Sequence, residues 1–467
     1  MRANPFPIPT ALILSALALS GAAVADDFHV DSLFDDGVGS LRAAIAFANQ
    51  TPGPDRIVFH GDLAGKTLWI DAPAPVISEA VEVIGPAGGA ATVRSTGNDR
   101  VLSVVTDWGA IVVLRDLVLA DGGLLNQSGG CLSIQGASVL LDRVRVTGCK
   151  AAHGGAISAQ LGAILELQDS RIDHNRAVWS GGGIRTDGAL FVGRSEIDHN
   201  TVDGFGRGGG IAFWPFADNQ SMLWILDSHL HHNAATSSDP AGASLGGALD
   251  AGNGRLRVER SSFYANRARH GAALSRSGNV DLPMDARLVN STFAGNVGDD
   301  VVSIAQGEVA LEYSTISANI RDGGEGVARA FDSPATVSVR IAGSVVSGNY
   351  PGQDGIDLAS GERRIDADYS LIGVAGLGSV DAANPGTNRF GIVDPRLRAL
   401  GWNGGPTPTM PPMADSPLID AGGDADLPAT DQRGSARLVG SAADIGAVED
   451  DGDRLFADAF DGAPADG

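Results

Sequence analysis

From Leu165 to Asn349 one short phrase occurs seven times: apolar, any, apolar, two spacers, Ser, any, bulky apolar, two spacers, Asn. Its first complete copy is Leu165-Glu-Leu-Gln-Asp-Ser170-Arg-Ile172-Asp-His-Asn175. Later copies occupy 190–200, 223–233, 256–266, 286–296, 309–319 and 339–349. The serines are Ser170, Ser195, Ser228, Ser261, Ser291, Ser314 and Ser344. Five residues after each stands Asn175, Asn200, Asn233, Asn266, Asn296, Asn319 or Asn349. Successive asparagines are 23 to 33 residues apart. A constant phrase separated by elastic gaps demands a stack of equivalent turns, because a mixed compact fold gives each element a different neighbourhood.

Alternation within the phrase sends Leu165, Leu167 and Ile172 inward and Glu166 and Arg171 outward. Between the phrases lies a second signal, Gly-Gly followed by a small and then an aliphatic residue. It occurs as Gly129-Gly-Cys-Leu132, Gly154-Gly-Ala-Ile157, Gly182-Gly-Ile184, Gly209-Gly-Ile211, Gly246-Gly-Ala-Leu249 and Gly271-Ala-Ala-Leu274. Each repeat therefore offers three short strands with bends between them. The expected fold is all-β: a parallel β-helix of about ten turns, stacked about 4.8 Å apart. Right-handedness is expected from the general chirality of parallel crossovers, not from the spacing. The Ser and Asn columns suit the bends, where hydroxyls and amides replace lost ladder partners and stacked Asn side chains can bond along the axis. Less regular copies precede and follow: 112–122 with Leu117 and Gly122 at the Ser and Asn places, 139–149 with Val144 and Cys149, and 365–372 with Ser370.

The ends differ in character. Residues 1–25 read as a secretory signal, with Arg2, an apolar stretch from Ala11 to Leu19 and Ala23-Val24-Ala25 before the cut. Residues 26–109 prepare the array: Ser40 to Asn49 places Leu41, Ala44, Ile45 and Ala48 on one helical face, and short strands follow. That helix is expected to cap the exposed first edge of the stack. The repeats fill 110–394, a Pro-, Gly- and Asp-rich segment at 395–450 is expected to cap the last turn, and 451–467 is a terminal tail. No later apolar run is long enough to span a bilayer. Outside the cytoplasm Cys131 and Cys149, 18 residues apart, are candidates for a disulfide; two buried thiols are the alternative. A formal net charge of −23 disfavours nucleic acid and anionic lipid as partners. The Asn290-Ser-Thr292 glycosylation sequon falls inside a repeat and is read as coincidence.

The Gly-Gly-Ala-Ile and Asn repeats resemble those of polymorphic outer-membrane and related β-helix surface proteins of bacteria. Gly39-Ser-Leu-Arg-Ala-Ala-Ile45 with Ile84-Gly-Pro86 resembles the CSLREA domain, although the Cys is missing and Ala replaces Glu. Asp394-Pro, Asn403-Gly-Gly-Pro-Thr407, Ser416-Pro-Leu-Ile-Asp-Ala-Gly422, Asp431-Gln-Arg-Gly434 and Asp444-Ile-Gly-Ala-Val-Glu449, in that order, resemble the choice-of-anchor β-helix family. These resemblances imply a secreted or cell-surface location, with outer-membrane association as one form of it. They imply no reaction.

A non-catalytic scaffold, adhesive or carbohydrate-binding, is therefore the expected role, with an extracellular glycan as the partner. The alternative is a polysaccharide lyase or glycoside hydrolase. Such cleavage needs opposed carboxylates, or a base beside carboxylate-held calcium, and the Gly-His-Gly of the pectin hydrolases is absent. The ligand-binding candidates lie on the outer face of the Gly-Gly strands: Arg185, Asp187, Trp214, Asp250 and Arg276, with Trp214-Pro-Phe216 offering aromatic plates. His174, His199 and His232, each just before a repeat Asn, can be combined with Asp173 and Asp198 as a metal column. The simpler expectation is that they face water at a bend and that no metal or cofactor is used. If residues 1–25 are a signal, mass spectrometry of exported protein should find an N-terminus at or near Asp26. Exported chains retaining Met1 would contradict it.

Overall fold

The computed structural model describes residues 26–450 except 52, 98, 107–108, 124, 205, 216–220, 239–243, 279–284, 322–327, 334–336, 351–354, 361–364, 376–379, 383–385 and 424–426. The proposed signal, Phe216 and the terminal tail lie outside the described residues.

The repeats stack without slipping. Leu165 pairs with Leu190, and the same column continues through Leu223, Leu256, Ala286, Val309 and Val339. Ile172, Ile197, Leu230, Phe263, Phe293, Ile316 and Val346 form a second column in the same way. Both columns are buried along their length, and Phe263 stacks on Phe293 at 5.0 Å. Each Leu, Ile or Phe taken from water in this way contributes about 1.5–3 kcal/mol.

Three long sheets result. Among the described residues the first has 14 strands, from Asp27–Val30 to Val380–Ala382; the second has 11, between Val76–Ile77 and Gly355–Ser360; the third has 13, from Thr67–Ile70 to Arg389–Phe390. A short fourth sheet joins Lys150–His153, Arg176–Ser180, Thr201–Val202 and Ala234–Ala235. The ladders are parallel. The molecule is a parallel β-helix of about eleven turns, with a single α-helix among the described residues.

Polar columns hold the corners. The Asn200 Nδ2 donates to Asn233 Oδ1 at 3.0 Å and to the Ile172 carbonyl at 2.7 Å, while the Asn200 N–H donates to the same Asn233 Oδ1. The amide-to-amide chain is continuous from Asn175 to Asn349 at 2.7–3.1 Å. The serines form a parallel chain, in which each N–H donates to the next Oγ, from Ser170 to Ser370. The residue just before many of these Ser and Asn positions adopts the left-handed backbone: φ is 49° at Asp169 and 56° at His174. In the Gly-Gly bend, Gly154 has φ 59° and a Cβ there would sit 2.1 Å from the Ile157 carbonyl oxygen, so only glycine fits.

The helix α1, Leu41–Ala48, buries Leu41, Ala44, Ile45 and Ala48, and the Ser40 Oγ accepts from the Ala43 N–H at 3.1 Å. These apolar side chains join the interior cluster beside the first strands. Cys131 and Cys149 are joined in a disulfide with Cα atoms 5.6 Å apart, and both are buried. Cys149 occupies the Asn place, its N–H donating to Asn175 Oδ1 at 2.9 Å.

The 395–450 segment departs from the expectation of a cap confined to the last turn. It runs back along the outer face of the third sheet. Ala447 N–H donates to Thr315 Oγ1, Thr292 Oγ1 donates to Gln432 Oε1, and Gln432 Nε2 donates to Ser262 Oγ. Trp402 sets its edge against His229, 5.6 Å between centroids. The outward column Ser262, Thr292 and Thr315 of this sheet is small, which leaves room, and its hydroxyls supply partners. Asn290 of the sequon is buried and donates to the Thr430 carbonyl.

Asn266→Ala removes the acceptor for Asn233 and strands the Leu230 carbonyl. It should cost about 2–4 kcal/mol, since each buried orphan costs about 1–3 kcal/mol. Chemical denaturation checks this, and a change below about 0.5 kcal/mol would remove the amide column from the account.

Candidate functional site

The five candidates on the Gly-Gly strands do not make one open face. Arg185 is outward and half-buried, with Nη1 3.7 Å from Asp187. Asp187 is buried at the following bend and accepts from the Gly162 N–H. Asp250 is fully buried: the Trp214 indole Nε1 donates to it at 3.1 Å, and Arg207 lies 3.6 Å from it and over the Trp214 ring. Burial raises its carboxyl to about 6, although Arg207 and the Trp214 and Ser275 hydrogen bonds oppose the shift.

Arg276 does not belong to this set. The partner of Asp250 in the next turn is Ser275, and Arg276 pairs with Ala251 in a column containing Phe213 and Ile304. One residue of offset changes the face, so Arg276 is wholly buried, with Nη2 donating to the Gly254 carbonyl. Its burial lowers its pKa to about 10.

An open feature lies elsewhere, on the outer face of the first sheet. A groove of about 460 Å3 crosses the strands Met222–Leu226, Arg255–Glu259, Asp285–Val289, Glu308–Glu312, Ser338–Ala342 and Ile365–Asp368. The outward column through it reads Trp224, Arg257, Arg287, Ala310, Arg340 and Asp366. Trp224 is largely covered by Arg257, which lies 5.2 Å from its ring, and its indole N–H is buried without a hydrogen-bond partner among the described residues. Arg287 binds Glu312 at 2.6 Å and Arg257 binds Glu259 at 2.8 Å, so both guanidinium planes are held in place. Asp285, Glu308 and Ser338 line the same groove. Donors and acceptors thus alternate over a shallow trough, an arrangement matched to hydroxyl-rich ligands. The signal was present in the sequence, because every one of these positions falls at an outward place of the repeat.

The histidines form a third feature. His174, His199 and His232 stack at the corner with centroids 4.8 Å apart and rings within 2° of parallel. Asp173 and Asp198 are buried beneath them. Each accepts two bonds from an arginine of the preceding turn, Arg145 and Arg171 respectively. Glu196, His229 and His231, not singled out from sequence, stand beside the column on the adjoining strands. Burial lowers His231 to about 4, against the hydrogen bond it donates to Glu196. Burial and the neighbouring His199 also lower His232.

Comparison with known proteins assigns no family: no family model, curated protein or solved structure matches the chain.

The buried carboxyl gives a pH signature. An unfolded Asp ionises near 3.9, so the folded chain holds the Asp250 proton more tightly. Its contribution to stability is complete below about pH 4 and is lost as pH rises through about 6. Asp250→Asn should therefore flatten the fall in thermal midpoint between pH 5 and pH 7. An unchanged slope in the variant would show that Asp250 ionises as an ordinary carboxylate.

Proposed function

We propose that this chain is an exported, non-catalytic β-helix scaffold whose first-sheet groove holds an extracellular glycan. The supporting observation is the groove itself: ion-paired guanidinium planes, carboxylates and a serine along one trough. Residues in register on rigid neighbouring strands present these groups without an ordering cost at binding. The acidic composition and the secretion-like first 25 residues support a location outside the cytoplasm. The likeness to bacterial surface β-helix proteins points the same way. The alternative, polysaccharide cleavage on the outer face from Arg185 to Asp250, draws less support, since Asp250 is closed beneath Trp214.

A glycan array probed with the purified chain, followed by product analysis, tests this reading. Retention without new reducing or unsaturated ends is expected. Arg287→Ala should weaken retention at least tenfold, about 1.4 kcal/mol, in chain that remains folded. Cleavage products, or retention indifferent to Arg287→Ala, would contradict the proposal.

A further inference from the structure

The histidine column is separate from the groove and lies at the corner that follows the third-sheet strands Arg171–Asp173, Glu196–Asp198 and His229–His231. Its members share a left-handed backbone, with φ 56°, 52° and 53° at His174, His199 and His232. His tolerates this conformation better than most residues. In-register stacking then gives three imidazoles one orientation.

The hydrogen bonds also fix which ring nitrogen is free. His174 Nδ1 lies 2.8 Å from Asp173 and His199 Nδ1 lies 2.7 Å from Asp198. A carboxylate only accepts, so each Nδ1 carries the proton and each neutral ring leaves Nε2 as a bare lone pair. His232 reaches the same state by a relay. Glu196 accepts from His231 Nε2 at 2.8 Å, which leaves His231 Nδ1 to accept from His232 Nδ1 at 2.8 Å. The proton positions follow from this network. Buried Asp173 and Asp198, and Glu196 through His231, thus fix the orientation of three outward imidazoles. This is the outer-shell arrangement that accompanies metal-ligating histidines. The side chains of His174 and His199 are 58% and 43% exposed, so an ion can reach them.

We propose that this column binds one divalent transition-metal ion of the zinc class, with Nε2 of His199 and His232 as ligands. Zn–N bonds are about 2.0–2.1 Å long, so two ligating Nε2 atoms stand at most about 4.2 Å apart, and the two exposed rings must turn toward each other from parallel stacking at 4.8 Å. His174 stacks on the other side of His199 and competes for it, which limits the column to one ion. Water completes the coordination. Imidazole nitrogen selects zinc, copper or nickel over magnesium and calcium, which prefer oxygen ligands.

Isothermal titration of the full chain with ZnCl2 should give one site in the micromolar range, and CaCl2 and MgCl2 should give none. His199→Asn and His232→Asn keep the left-handed corner, because Asn accepts it, and should weaken zinc binding at least tenfold with an unchanged thermal midpoint. His29→Asn, on the first strand, should leave it unchanged. Electron paramagnetic resonance of Cu(II) added to the native chain needs no variant and should show coupling to imidazole nitrogen. Absence of zinc uptake, retention of full affinity in both corner variants, or a Cu(II) spectrum without imidazole nitrogen would each overturn the proposal.

Discussion

Seven consecutive turns of this molecule depend on a primary amide that both gives and receives along the axis. An Asn side chain has a carbonyl oxygen and two N–H donors. At the corner the oxygen accepts from the backbone N–H and the amide of the turn before, and one nitrogen spans back to a carbonyl there. The unit is complete only when its neighbours are present. Seven copies therefore reinforce one register, and the Ser column repeats the device one strand earlier. A slip of one residue would expose the Leu and Ile columns and break both chains together. Because the corners carry the register, the intervening segments are free to differ in length.

That division of labour explains where chemistry can reside. Inward positions answer to packing, so most are Leu, Ile, Val, Phe or Ala, with Arg276 an exception. Outward positions answer only to their neighbours and diversify: arginines and acids on the first sheet, histidines over buried aspartates on the third. Farther along, small hydroxyl residues of the third sheet receive the 395–450 segment. The pairs between Arg145 and Asp173 and between Arg171 and Asp198 tie consecutive turns just below the imidazoles. The same carboxylates then set the tautomer of the rings above them.

The sequence displayed most of the architecture because period-two burial and the corner amides repeat at fixed offsets. Leu165, Ile172 and Asn175 lie where alternation puts them, and Leu41, Ala44, Ile45 and Ala48 form the buried face of the helix. The outer face was harder to read. The Gly-Gly motifs themselves place Asp250 opposite Ser275, as the register does, and Arg276, one residue further on, faces inward. Trp224, Arg257 and Arg287 fall on one column, but their importance arises from a trough that only stacking creates. Glu196 and His231 stand 35 residues apart, and their contact depends on turn length. The path of the 395–450 segment, without periodicity, was not legible at all.

The amide column admits a direct test by exchange of the Asn side-chain Nδ2 protons, followed by NMR on chain labelled with 15N at asparagine. The account predicts that the NH2 signals of Asn200, Asn233, Asn266, Asn296 and Asn319 exchange only with global opening, as slowly as the core backbone amides. Exchange of these signals at the rate of a free amide, in chain that is otherwise folded, would contradict it.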